Sequence, residues 1–92
     1  MERFRLRAYP ARVMARYFFH VTNGIGFVED EEGQELPDLA AARASALRSA
    51  RSLMCDTLLE GRLNLGHFIQ VEGPEHEALF TLSFGQAVLI EV

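Results

Sequence analysis

Apolar residues along this chain recur at a period of two, then at a helical period, then at two again. "RYFFHVT" (16–22) is rich in β-formers, with Tyr17, Phe19 and Val21 on one side and Phe18, His20 and Thr22 on the other. Asn23-Gly24 follows, a pair in which both residues tolerate positive φ, so it predicts a tight hairpin with "IGFVED" as the return strand. Gly26 inside that strand suggests a bulge or a close backbone approach. After the turn-forming "DEEGQELPD", residues 39–60 contain no Gly or Pro and are dominated by Ala, Leu and Arg, which are strong helix formers. Asp38 is the expected N-cap and Gly61 the stop, giving a helix roughly 35 Å long. At about 100° per residue, Leu39, Ala42, Ala46, Ala50, Leu53, Met54 and Thr57 form one stripe. Ala41, Ala44, Arg48, Arg51, Ser52, Cys55, Leu59 and Arg62 face the other way.

"HFIQVE" and "EALFTLSF" predict two further strands around the turn "GPEH", with Leu79, Thr81 and Ser83 opposite Phe80, Leu82 and Phe84. "GQAVLIEV" reads either as a helical turn followed by a strand or as a strand continued past a Gly bend. The order is hairpin, helix, hairpin. The expected fold is α+β, ββαββ, one antiparallel sheet with a single long helix packed on one face. One helix covers only part of one sheet face, and Phe18 belongs to the other, so burial in a homo-oligomer is expected.

Ninety-two residues make one domain. The aromatic content is that of a folded protein. The single cysteine, Cys55, rules out an internal disulfide and fits a reducing compartment. No apolar run approaches a membrane span, and no secretory signal is evident, so a cytoplasmic location is expected. All nine basic residues are Arg. Residues 1–13 carry four of them against one Glu, and residues 14–92 carry five against twelve acids, so the ends of the −4 net charge are +3 and −7. "MERFRLRAYPARV" (1–13) reads as a disposable tail, an edge strand or a functional arm. Met14 looks like a start of its own, which makes 1–13 a basic extension of a single domain over 14–92.

"RYFFHVTNG", "DEEGQELPDLAAARASAL" and the closing "AVLIE" together resemble a family of short bacterial proteins known only as a domain of unknown function. The resemblance covers the chain from about Met14 onward and implies no activity, cofactor or catalytic residue. Residues 1–13 depart from the family pattern. A second resemblance, of architecture alone, is to small antitoxin domains of the HicB type, and fold alone does not give function.

The acidic run Glu29, Asp30, Glu31, Glu32, Glu35 and Asp38 lacks the alternating ligand order of a calcium loop, so it reads as a solvated turn and helix entrance. Arg43 falls within the apolar stripe of the wheel, where a charge needs a partner. The expectation is an ion pair with Asp30 or Glu32, tying the hairpin exit to the helix. His20, His67 and His76 lack metal-ligand spacing, although two of them can meet across the sheet. Neither a nucleophile elbow, a phosphate loop nor a glycine fingerprint is present. No catalytic residue, metal or cofactor is expected. Arg48, Arg51 and Arg62 share a helix face with Cys55 and Leu59, a mixture typical of protein contacts. The expected function is a small non-enzymatic interaction or regulatory protein acting as a homo-oligomer with a possible protein partner. The alternative is an antitoxin-like module that meets nucleic acid through the Arg face.

Overall fold

The structure is a computed structural model that describes residues 13–23 and 26–92. The extension expected over 1–13 therefore lies outside the described residues except for Val13, and so do Gly24 and Ile25 of the first turn. Strand β1 (Ala15–Asn23) runs through the middle of one antiparallel sheet. β2 (Gly26–Val28), β3 (Gln34–Leu36), helix α1 (Leu39–Leu59), β4 (Phe68–Glu72) and β5 (Ala78–Ser83) follow, and the 3-10 turn Phe84–Ala87 closes the order. The path across the sheet is β2-β1-β4-β5, with β3 also on β1. This is the expected α+β fold, one sheet under one long helix, with a third short strand added before the helix.

That third strand shapes one edge of the sheet. β2 pairs with Val21–Asn23 and β3 with Ala15–Tyr17, so both lie along the same side of β1. Among the described residues, the stretch of β1 between them has no ladder partner on that side. On its other side β1 meets β4, with Phe19 opposite Val71 and Val21 opposite Ile69. β5 continues the row, placing Leu82 beside Ile69 and Phe80 beside Val71. Tyr17, Phe19, Ile69, Val71 and Leu82 thus form the floor on which the helix rests.

The helix lies close because its contact stripe is small. Ala42, Ala46 and Ala50 are fully buried, and Met54 fills the wider end. Ser45 is buried as well, which the wheel did not anticipate; its Oγ donates to Gln34 Oε1 at 3.0 Å and so pins the helix to β3. Leu39, expected in the stripe, is exposed at the helix entrance. Both helix ends are closed by local bonds. Asp38 Oδ1 accepts from Ala41 N at 2.9 Å. At the far end Gly61 takes φ +83, and the Gly61 N–H to Leu58 and Arg62 N–H to Thr57 bonds form a Schellman motif.

"GQAVLIEV" resolves into the 3-10 turn, closed by reciprocal Ser83–Gln86 bonds, followed by residues 88–92 with no regular structure. The far sheet face also differs from expectation. Phe18 is 7% exposed within the single chain, because the turn 73–77 folds His76 onto it with ring centroids 4.4 Å apart. The centre of that face is Gln70 and Thr81, both exposed. Phe18 is thus covered within one chain and is no argument for an oligomer; apolar exposure on this face lies instead at Phe27, opposite Thr22 and 57% exposed.

Candidate functional site

The acidic run does structural work through one residue. The Phe19 N–H points into the gap between β2 and β3, and a buried donor must find an acceptor. Asp30 Oδ2 supplies it at 3.0 Å, while Asp30 Oδ1 accepts from Gly33 N at 3.0 Å. The carboxylate thus stands in for the missing strand. Gly33 has to be glycine: at φ +71, a Cβ there would lie 2.8 Å from the Tyr17 carbonyl oxygen.

This arrangement corrects the expected Arg43 pair. Both Asp30 oxygens are taken by backbone donors, and among the described residues Arg43 forms no ion pair with Asp30 or Glu32. Its guanidinium lies over the Phe80 ring, 5.6 Å from the centroid. The reason is position: Arg43 sits on the β5 side of the helix, whereas the acidic segment lies beyond β1. A cation can rest on an aromatic face there while its stem covers apolar surface. The cation that does reach the acidic segment is Arg16, which donates to the Glu32 carbonyl and pairs with Glu35 Oε2 at 2.9 Å.

Asp30 also opens onto a polar cluster. Its N–H donates to His20 Nδ1 at 3.0 Å. That nitrogen must accept, so the His20 proton sits on Nε2 and is donated to Glu72 Oε1 at 2.9 Å. His76 Nδ1 meets the same oxygen at 3.1 Å. These two hydrogen bonds, first from His20 and then from His76, hold the Glu72 carboxyl below the usual carboxylate range, with burial opposing them. His20 is 3% exposed and also contacts the Phe27 ring. His76 adopts a left-handed φ of 64. The sequence placed His20 on this face but gave no sign of Glu72, 52 positions away, since only the β1–β4 register joins them. Among the described residues no set of three His, Cys, Asp or Glu groups can hold a metal ion. His67 stands apart, its ring edge-on to Phe84.

The helix face expected as a contact surface is exposed but not uniform. Arg51 Nε donates to the Ala87 carbonyl at 2.7 Å, holding the 3-10 turn against the helix. Arg62 pairs with Glu60. Arg48 is exposed, Cys55 is an exposed free thiol, and Leu59 is 88% exposed. Leu59 belongs to a wider apolar end. The helix's last turn presents Leu58 and Leu59, and the following loop presents Leu63 and Leu65. Gly85 N donates to the Leu65 carbonyl at 3.0 Å, which ties the 3-10 turn to this loop. Beside it lies a cleft of about 530 Å³, with Val21, Leu53, Leu63 and Phe84 as apolar walls and Asp56, Arg62 and His67 at its polar positions.

Among the described residues no helix is long and apolar enough to cross a membrane. A family model described as a domain of unknown function, DUF6894, matches residues 16–85. No curated protein matches the chain, and no solved structure does.

Proposed function

Because the chain belongs to this family of unknown function, which brings no activity to adopt, we propose from its own surfaces that it is a small non-enzymatic interaction or regulatory protein working as a homo-oligomer in the cytoplasm. The observation that carries this is the apolar end. Leu59 is 88% exposed, and the exposed Leu58, Leu63 and Leu65 accompany it on a chain of only 92 residues. Clustered exposed apolar side chains of this kind mark contact surfaces. Arg48 and Cys55 extend the surface along the helix, in the mixture of Arg and apolar groups that protein interfaces favour. The polar cluster around Glu72 supports the non-enzymatic half: its hydrogen bonds link β1, β4 and the turn 73–77 to one another, a bracing role.

The antitoxin-like reading requires Arg48, Arg51 and Arg62 to act as one basic strip. With Arg51 held by Ala87 and Arg62 by Glu60, it has less to draw on. The test is native affinity purification of the full chain from its source cells, beside a Leu58→Asp, Leu59→Asp variant whose folding is checked by circular dichroism. A stoichiometric protein captured by the wild type and lost from the variant is expected. The same captured set from both proteins, or nucleic acid that leaves with salt, would overturn the reading.

A further inference from the structure

The two edges of the sheet are built differently. At one edge, β2 is three residues long and runs into Glu29 and Asp30, while β3 is also three residues and carries Glu35. Short strands and charge are the usual protection against edge-to-edge pairing. At the other edge, β5 is six residues, "ALFTLS", with no charge and no proline. Among the described residues only β4 pairs with it.

The ladder fixes which groups β5 offers. Phe84 N donates to the His67 carbonyl at 2.7 Å. Since backbone direction alternates along a regular strand, Leu82 and Phe80 also point their N–H and C=O groups at β4, and Thr81 and Ser83 point theirs away. The alternation ends at a bulge opposite Val71 and Glu72, beyond which the Glu77 carbonyl again faces β4 and accepts from Gly73 N at 2.9 Å. The Ser83 N–H is capped within the chain by Gln86 Oε1 at 2.8 Å. Thr81 keeps an outward donor.

We propose that the β5 edge is where two copies of this chain pair, antiparallel, with Thr81 of each copy on the two-fold axis. This rests on the homo-oligomeric reading above and gives it a surface. In this register Thr81 meets Thr81, exchanging two backbone hydrogen bonds, and Phe80 meets Leu82 on either side of it. Every pair lies on a matching face, and none sets like charges together. Charge also decides the direction and the occupant. Each copy carries −4, and Glu77 precedes β5. Parallel pairing would set the two Glu77 side by side, whereas antiparallel pairing about Thr81 puts them at opposite ends of the joined strands, roughly 25 Å apart. A neutral, self-complementary strip is the place where two acidic copies approach without opposing carboxylates. The pairing extends the two sheets into one.

The experiment is light scattering of the full chain over a range of concentrations, for the wild type, Thr81→Lys, Thr81→Glu and an equal mixture of the two variants. The Thr81 side chain is exposed, and its outward backbone leaves the β4 ladder intact. The expected result is a wild-type mass twice that of the monomer, at least a tenfold weakening in each charged variant alone, and recovery in the mixture, where opposite charges meet on the axis. Amide exchange on the wild type provides a readout without substitution: Thr81 should gain protection as concentration rises. An oligomer whose mass is unchanged in both charged variants overturns this proposal and leaves the oligomeric reading standing. A wild-type monomer at every concentration overturns both. Protection of Thr81 in a monomer means that the same chain covers the edge, and overturns the β5 pairing.

Discussion

At the scale of single residues, Asp30 and Glu72 do what their neighbours in charge do not. Glu29 and Glu31 are exposed, but Asp30 satisfies two backbone donors and offers its own N–H to His20. Asp30→Ala should therefore destabilise the protein by about 2 kcal/mol, since it leaves the Phe19 N–H without an acceptor. Glu31→Ala should stay within about 0.5 kcal/mol. Denaturant unfolding monitored by circular dichroism compares the two, and equal effects would contradict the role of Asp30 as a stand-in strand. Glu72 gives a pH signature. Its folded carboxyl titrates below its unfolded value, so its contribution is present above the unfolded value and is lost as pH falls through the folded one. Wild type should lose stability more steeply than Glu72→Gln between about pH 5 and pH 3. Parallel acid-unfolding curves for the two proteins would remove the shift as a factor in stability.

At the scale of elements, the helix is the part most open to prediction and the sheet edge the part least so. The helical period, Asp38 and Gly61 all agree, and the structure places α1 between them. The three alanines were legible as a contact stripe because nothing larger repeats at that spacing. Ala46→Leu should cost about 1–3 kcal/mol by overpacking against the sheet, whereas Ala44→Leu, on the exposed side, should change stability by less than about 0.5 kcal/mol. Thermal melts of the two variants test this, and similar melting temperatures would argue against close helix–sheet contact. β3 was not legible: "QEL" has no alternation to read and is a strand only because β1 offers it an edge. Arg43 failed for a related reason. A helical wheel gives the direction of a side chain but not what lies beneath it, and beneath Arg43 is Phe80 of β5, not the acidic segment. The Glu72 cluster needed the register of β1 on β4, which turns and periodicity do not encode. Arg51 was legible as a surface residue, but its bond to Ala87 depends on where the 3-10 turn lands.

For the whole molecule, the question is how an acidic body with nine arginines meets its surroundings. Four of the nine lie in residues 1–12, and the described body carries Arg16, Arg43, Arg48, Arg51 and Arg62. Arg16 and Arg62 are paired with Glu35 and Glu60, Arg51 holds a carbonyl and Arg43 covers Phe80. Binding to a phosphate backbone draws on several cations acting together, and its affinity falls with salt in proportion to their number. Twelve acids within residues 14–92 oppose it at longer range. The β5 edge, by contrast, carries no charge, and the apolar end sets exposed leucines beside the already paired Glu60 and Arg62, so both suit contacts that survive salt. The expected outcome is that labelled single- and double-stranded nucleic acid shows no anisotropy change with the full chain at about 150 mM salt, where the screening length is about 8 Å, while any captured protein partner stays bound. Nucleic-acid binding that persists there and is lost in an Arg48→Ala, Arg51→Ala variant would shift the assignment to the antitoxin-like module. Binding unaffected by those substitutions but lost on replacing Arg3, Arg5 and Arg7 would place the contact in the N-terminal segment, leaving the helix face to its protein partner.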